Sequence, residues 1–135
     1  MGTDIHMYIE HKSKKTHKFV FDFGQWGERI YNLFGTMAGT RGEYEAIYEP
    51  RGIPDDISPE VKEEYEIMWE GDAHTPSWLT TAEFRECLDL VIKHSDYNAS
   101  NEIPSWLKEY EWMYEFMKYN EEEGEPCRVV FWFDN

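Results

Sequence analysis

The stretch Thr3-Asp4-Ile5-His6-Met7-Tyr8-Ile9-Glu10 sets Ile5, Met7 and Ile9 in alternation with Asp4, His6, Tyr8 and Glu10, the period-two pattern of a strand with one face in a core. Asp4 and His6 therefore share a face. Beyond a turn carrying Lys12, Lys14 and Lys15, residues 18–23 place Phe19, Phe21 and Phe23 on one side and Val20 and Asp22 on the other, which predicts the second strand of a hairpin. Near the far end, Arg128-Val129-Val130-Phe131-Trp132-Phe133 is β-branched and aromatic on both faces, the composition of a central strand rather than an edge.

Four helices are expected between these strands. Ile30, Leu33, Phe34 and Met37 follow the spacing of a short amphipathic helix that Gly39 caps. Ser58-Pro59-Glu60 opens a second, with Val61, Tyr65, Met68 and Trp69 as its stripe and an end near Gly71. Thr80 and Glu83 form a capping box before Phe84, Cys87, Leu88, Val91 and Ile92. Pro104 opens a fourth, carrying Leu107, Tyr110, Met113, Tyr114 and Met117 and ending before the acidic run Glu121-Glu122-Glu123. Residues 39–58 and 71–78, dense in Gly, Pro and charge, read as ordered loops. The expected fold is α+β: a small, mainly antiparallel sheet of the N-terminal hairpin and the C-terminal strand, packed with about four helices in one domain, residues 1–135.

The 135 residues carry 13 Lys and Arg against 28 Asp and Glu, a net charge of −15. That balance repels phosphate backbones and attracts basic protein surfaces, so direct nucleic-acid binding is not expected. With 41% hydrophobic and 17% aromatic residues the chain can bury a core, which excludes disorder. Of its tryptophans, Trp26, Trp69, Trp106, Trp112 and Trp132 are expected to be mostly core. No apolar run approaches the ~18 residues of a membrane span and no basic-then-apolar leader opens the chain, which points to the cytosol. Cys87 and Cys127 have neither disulfide nor zinc spacing and read as reduced core thiols.

Two constellations offer chemistry. Asp4 with His6 and Asp72 with His74 repeat an Asp-x-His pattern. If the two segments converge they supply four ligands for a divalent metal, and Asp134 joins them if the last strand neighbours the first. Otherwise each Asp caps a turn or orients a histidine. The second constellation is the loop with Arg41 and Arg51, flanked by Tyr44 and Tyr48. It has the guanidinium and ring chemistry of a phosphate or nucleotide site, unless the arginines pair with Glu43, Glu45, Glu49, Asp55 or Asp56. Trp78 is a pocket wall or the hydrophobic staple of the third helix. The acidic run Glu109, Glu111, Glu115, Glu121–Glu123 and Glu125 is a solvated face or a mimic of a phosphate backbone.

Met1-x-x-Asp4-Ile5-His6, Arg29-x-Tyr31-Asn32-Leu33-Phe34, Gly39-x-Arg41-Gly42, Glu49-Pro50-Arg51-Gly52-x-Pro54-x-Asp56-x-Ser58 and Asp72-Ala73-His74-x-x-Ser77-Trp78-Leu79-Thr80 together resemble a family of small proteins encoded in bacteriophages and prophages. The resemblance spans residues 1–80 and implies a role in the contest between phage and host. It adds weight to Asp4, His6, Arg41, Arg51, Asp72 and His74. It implies a binder without catalysis, which either occludes a host defence protein or sequesters a phosphate-containing nucleotide signal. In the nucleotide version Arg41 and Arg51 hold phosphates, Tyr48 or Trp78 stacks a base, Asp72 and His74 read polar edges, and a homo-oligomer encloses the ligand. The alternative is a hydrolase of a nucleotide or phosphoester, its divalent metal held by Asp4, His6, Asp72 and His74.

Overall fold

The computed structural model describes residues 2–69, 71–95 and 103–135. The chain runs β1 (Asp4–Lys12), β2 (Phe19–Trp26), α1 (Tyr31–Ala38), α2 (Pro59–Trp69), β3 (His74–Thr80), α3 (Thr81–Lys93), a 3-10 turn (Ser105–Leu107), α4 (Lys108–Glu122) and β4 (Cys127–Asp134). The four strands form one antiparallel sheet in the order β2-β1-β4-β3. This is the α+β fold that the alternation and helix signals predict, with β4 central as its apolar composition requires. No described helix is long and apolar enough to cross a membrane.

Alternation along β1 and β4 gives the sheet two different faces. Ile5, Met7 and Ile9 join Val129, Phe131 and Phe133 on one face, under Leu33, Phe34 and Met37 of α1, Phe84, Cys87 and Leu88 of α3, and Tyr110, Met113 and Met117 of α4. His6, Tyr8 and Glu10 join Arg128, Val130 and Trp132 on the other, which α2 and the preceding loop cover through Val61, Tyr65, Met68, Ile53 and Ile57. Burial of one large apolar side chain contributes about 1.5–3 kcal/mol, so the helical face dominates the hydrophobic stabilisation. Two caps behave as expected: Gly39 takes the left-handed conformation at φ 70°, and Thr80 and Glu83 form the capping box of α3.

Several expectations are corrected. Segment 71–78 is not all loop, because β3 begins at His74. Thr75 at φ 54° and a register shift between His74 and Ser77 make a bulge there, and Pro76 hides the strand from pattern reading. Phe19, Phe21 and Phe23 do not share a face. Glu10 pairs with Phe21 and Ile9 with Phe23, so Asp22 is a bulged residue that sends Phe23 to the helical core and Phe21 to the opposite side. Helix α4 runs on through Glu121 and Glu122, and Glu111 is buried against Arg85, with contacts of 2.6 and 2.7 Å. Of the tryptophans read as core, Trp132 is buried, whereas Trp26, Trp69 and Trp112 are exposed. Trp78 is half-buried and stacks on an arginine instead of stapling the helix entry.

Candidate functional site

At one end of the sheet, the start of β1, the end of β4 and the entry to β3 meet the loop after α1. On the α2 side of the sheet Arg29 grips both oxygens of Asp4 at 2.7 and 3.1 Å and holds its carboxyl below the usual carboxylate range. His6 is fully buried, with Nε2 against the Asp134 carboxylate and its ring edge-on to Trp26 at 4.2 Å. Its Nδ1 is buried with no partner among the described residues. Asp134 reaches His6 because β1 and β4 are neighbours, the condition that the sequence set.

The helical side of the same sheet end carries a second network. Arg41, in the left-handed conformation at φ 59°, donates from Nε to Thr3 Oγ1 at 2.9 Å and lies over the Tyr31 ring at 5.1 Å. Gly42 keeps this loop tight on α1, since a Cβ there would stand 2.4 Å from the Tyr31 carbonyl oxygen. Thr3 Oγ1 donates to Asn135 Oδ1 at 2.9 Å, and His74 Nε2 reaches the same oxygen at 3.0 Å. His74 Nδ1 lies 2.8 Å from Thr75 Oγ1, and its ring stacks on Phe133.

These positions separate the two Asp-x-His motifs. His6 opposes Trp132 and His74 opposes Phe133, so the two imidazoles stand on opposite faces of the sheet. Asp72 is exposed in the turn before β3. Among the described residues no group of three or more His, Cys, Asp and Glu is arranged to hold a metal ion, so Asp4, His6, Asp72 and His74 do not form the four-ligand set.

The arginine constellation also divides. Arg41 and His74 belong to the sheet-end networks, whereas Arg51, Tyr48 and Trp78 come together beside the opposite end of β3. Arg51 gives two guanidinium nitrogens to Glu83 at 2.7 and 2.6 Å and a hydrogen bond to the Trp78 carbonyl at 3.2 Å. Its guanidinium stands 5.0 Å from the Tyr48 ring and 4.5 Å from the Trp78 ring. Glu83 thereby serves both the helix cap and the clamp, and its carboxyl is held below the usual range, first by Arg51. The Tyr48 hydroxyl donates to Glu86 at 2.9 Å.

A groove of about 590 Å³ adjoins this clamp, lined by Phe19, Arg51, Asp55, Asp56, Trp78 and Arg128. Arg128 is 4% exposed and lies 3.5 Å from the centre of the Phe19 ring. It donates to Glu10 and to Asp56, each at 2.7 Å, while Glu10 also accepts from the Ser58 N–H at 2.8 Å. The groove's two guanidinium groups are thus matched by carboxylates of the chain itself. The buried Glu10–Arg128 pair was missed in the sequence, although both residues fall on the polar phase of strands that prove adjacent. Cys87 and Cys127 are free and buried, and burial pushes both thiols up to about 12, which leaves them inert. No family model, no curated protein and no solved structure matches the chain.

Proposed function

We propose that the protein is a non-catalytic binder of the phage type that counters host defence by covering a basic surface of a defence protein. The disposition of charge supports this reading. Arg51, Arg85 and Arg128 each give their guanidinium groups to carboxylates of the chain, while Glu60, Glu63, Glu64 and Glu66 stand exposed along α2. A net charge of −15 with these three arginines paired inside the chain steers toward basic partners and away from phosphate.

The test is reconstitution with the purified host protein that crosslinks to the chain in cells. The expected result is a stoichiometric complex that weakens as salt rises and as Glu60, Glu63 and Glu64 are changed together to Gln. The second reading, sequestration of a phosphate-containing nucleotide, is favoured by Arg41, which Thr3 and Tyr31 position beside His74 and Asn135. An intact nucleotide released on denaturation, and absent from Arg41→Ala protein, would replace the first reading with the second. Metal-dependent turnover of a nucleotide, lost in His6→Ala, would replace both with the hydrolase.

A further inference from the structure

The two edges of the sheet are built differently. The β3 edge is closed: Pro76 lacks a donor, Thr75 bulges, and the incoming loop covers the strand through Gly52 N–H to the Pro76 carbonyl at 3.0 Å and Arg51 N–H to Ser77 Oγ at 2.9 Å. Among the described residues the β2 edge has no such cover. It is the terminal strand of the sheet, eight residues long, with Val20 41% and Trp26 64% exposed. An uncovered edge of this length is a template for a further strand.

The ends of β2 also differ in charge. Beside Gly24–Trp26 lies a groove of about 420 Å³ floored by Tyr8, Phe21 and Trp26 and rimmed by Glu60, Glu63 and Glu64 of α2. Gly24 makes the floor: a Cβ there would stand 2.9 Å from the Tyr8 ring, which stacks on Trp132 at 4.7 Å. At the other end the hairpin turn carries Lys12, Lys14, Lys15 and Lys18. Antiparallel pairing of β2 with a second β2 brings the basic turn of each copy to the acidic groove of the other. With Phe19 opposite Trp26 of the second copy, Phe21 falls opposite Gly24 of that copy. All four positions lie on the α2 side of the sheet, so aromatic rings meet a ring or an empty Cβ position across the seam.

We propose that β2 is the interface of a twofold homodimer in which two sheets join into one through antiparallel β2 pairing, held in register by the lysine turn of each copy against the aromatic and acidic groove of the other. The contact is isologous and closes on itself, which ends growth at two copies because the other edge is blocked.

Sedimentation velocity across a concentration series tests the proposal. The wild-type chain is expected to dimerise, and Trp26→Lys and Trp26→Pro, the latter at a strand position whose N–H faces away from β1, are each expected to weaken the dimer by at least about tenfold while circular dichroism stays unchanged. Lys15→Glu with Lys18→Glu weakens it, Glu60→Lys with Glu63→Lys weakens it, and the four changes together restore it. Fluorescence of the exposed Trp26 reports the same equilibrium. A chain that stays monomeric at every concentration overturns the proposal, as does a dimer that ignores both Trp26 changes or fails the charge-swap rescue. Sedimentation of the chain alone separates the two readings although Glu60 and Glu63 serve in both: a monomer overturns the dimer only, and a dimer that forms no complex with a basic host protein overturns the proposed function only.

Discussion

On the helical face of the sheet, Phe131 and Phe133 lie in one apolar cluster with Phe34, Phe84 and Leu88. On the α2 face the equivalent positions of β1 and β4 hold His6 against Asp134, Glu10 against Arg128 and Tyr8 against Trp132. One face is therefore held by non-directional burial, which tolerates a change of shape at constant volume. The other depends on matched partners, each of which is costly to leave alone once its mate is gone. Helix α2 contributes only Val61 as a buried residue, so the polar face has a thin lid over specific contacts.

The difference can be broken most severely by cutting into the apolar face. Phe131→Ala is expected to cost about 3–5 kcal/mol, read as a lower urea midpoint. Arg128→Met, which strands Glu10 at zero exposure, should cost about 3 kcal/mol or more. The double variant Arg128→Met with Glu10→Leu should recover most of that loss, a rescue that the apolar face does not offer. Thr80→Ala removes half of the capping box and should cost about 1 kcal/mol. Asp72→Ala, at an exposed turn position, should fall within about 0.5 kcal/mol of wild type.

The pH dependence sharpens the same contrast. Arg51 lowers the Glu83 carboxyl below its ordinary value of 4.5. The resulting stability is fully present above that ordinary value and is lost as pH falls through the folded-state value. The drop in melting temperature between neutral and acid pH should therefore be smaller in Glu83→Gln than in wild type. Asp22 has the opposite sign, because burial raises its carboxyl in spite of the hydrogen bond from His11.

What could be read from the sequence follows this division. Burial by period is legible: Ile5, Met7 and Ile9 announced β1, and Thr80 with Glu83 announced α3. Pairing is not legible, because a run of residues does not say which carboxylate an arginine meets. Arg51 found Glu83, outside the five acids that surround it in its loop, and Arg128 found Glu10, more than a hundred residues away. The bulge at Asp22 defeated alternation by inserting one residue, and the left-handed Thr75 with Pro76 concealed β3. For the candidate site, the Asp4–His6 face and the approach of Asp134 were legible in outline, whereas the separation of His6 from His74 depends on the position of β3 beside β4.

The adjacency of β1 and β4 sets the order in which the molecule can assemble. Asp4 lies opposite Asp134, so the two central strands are joined only after nearly all of the intervening chain has been made. The β1–β2 hairpin is local and can close early, but it must then wait with the inner backbone edge of β1 unpaired and the face that carries Ile5, Met7 and Ile9 uncovered. Such high sequence separation slows folding, and on the ribosome it makes arrival of β4 the step that turns a sticky nascent hairpin into a finished sheet.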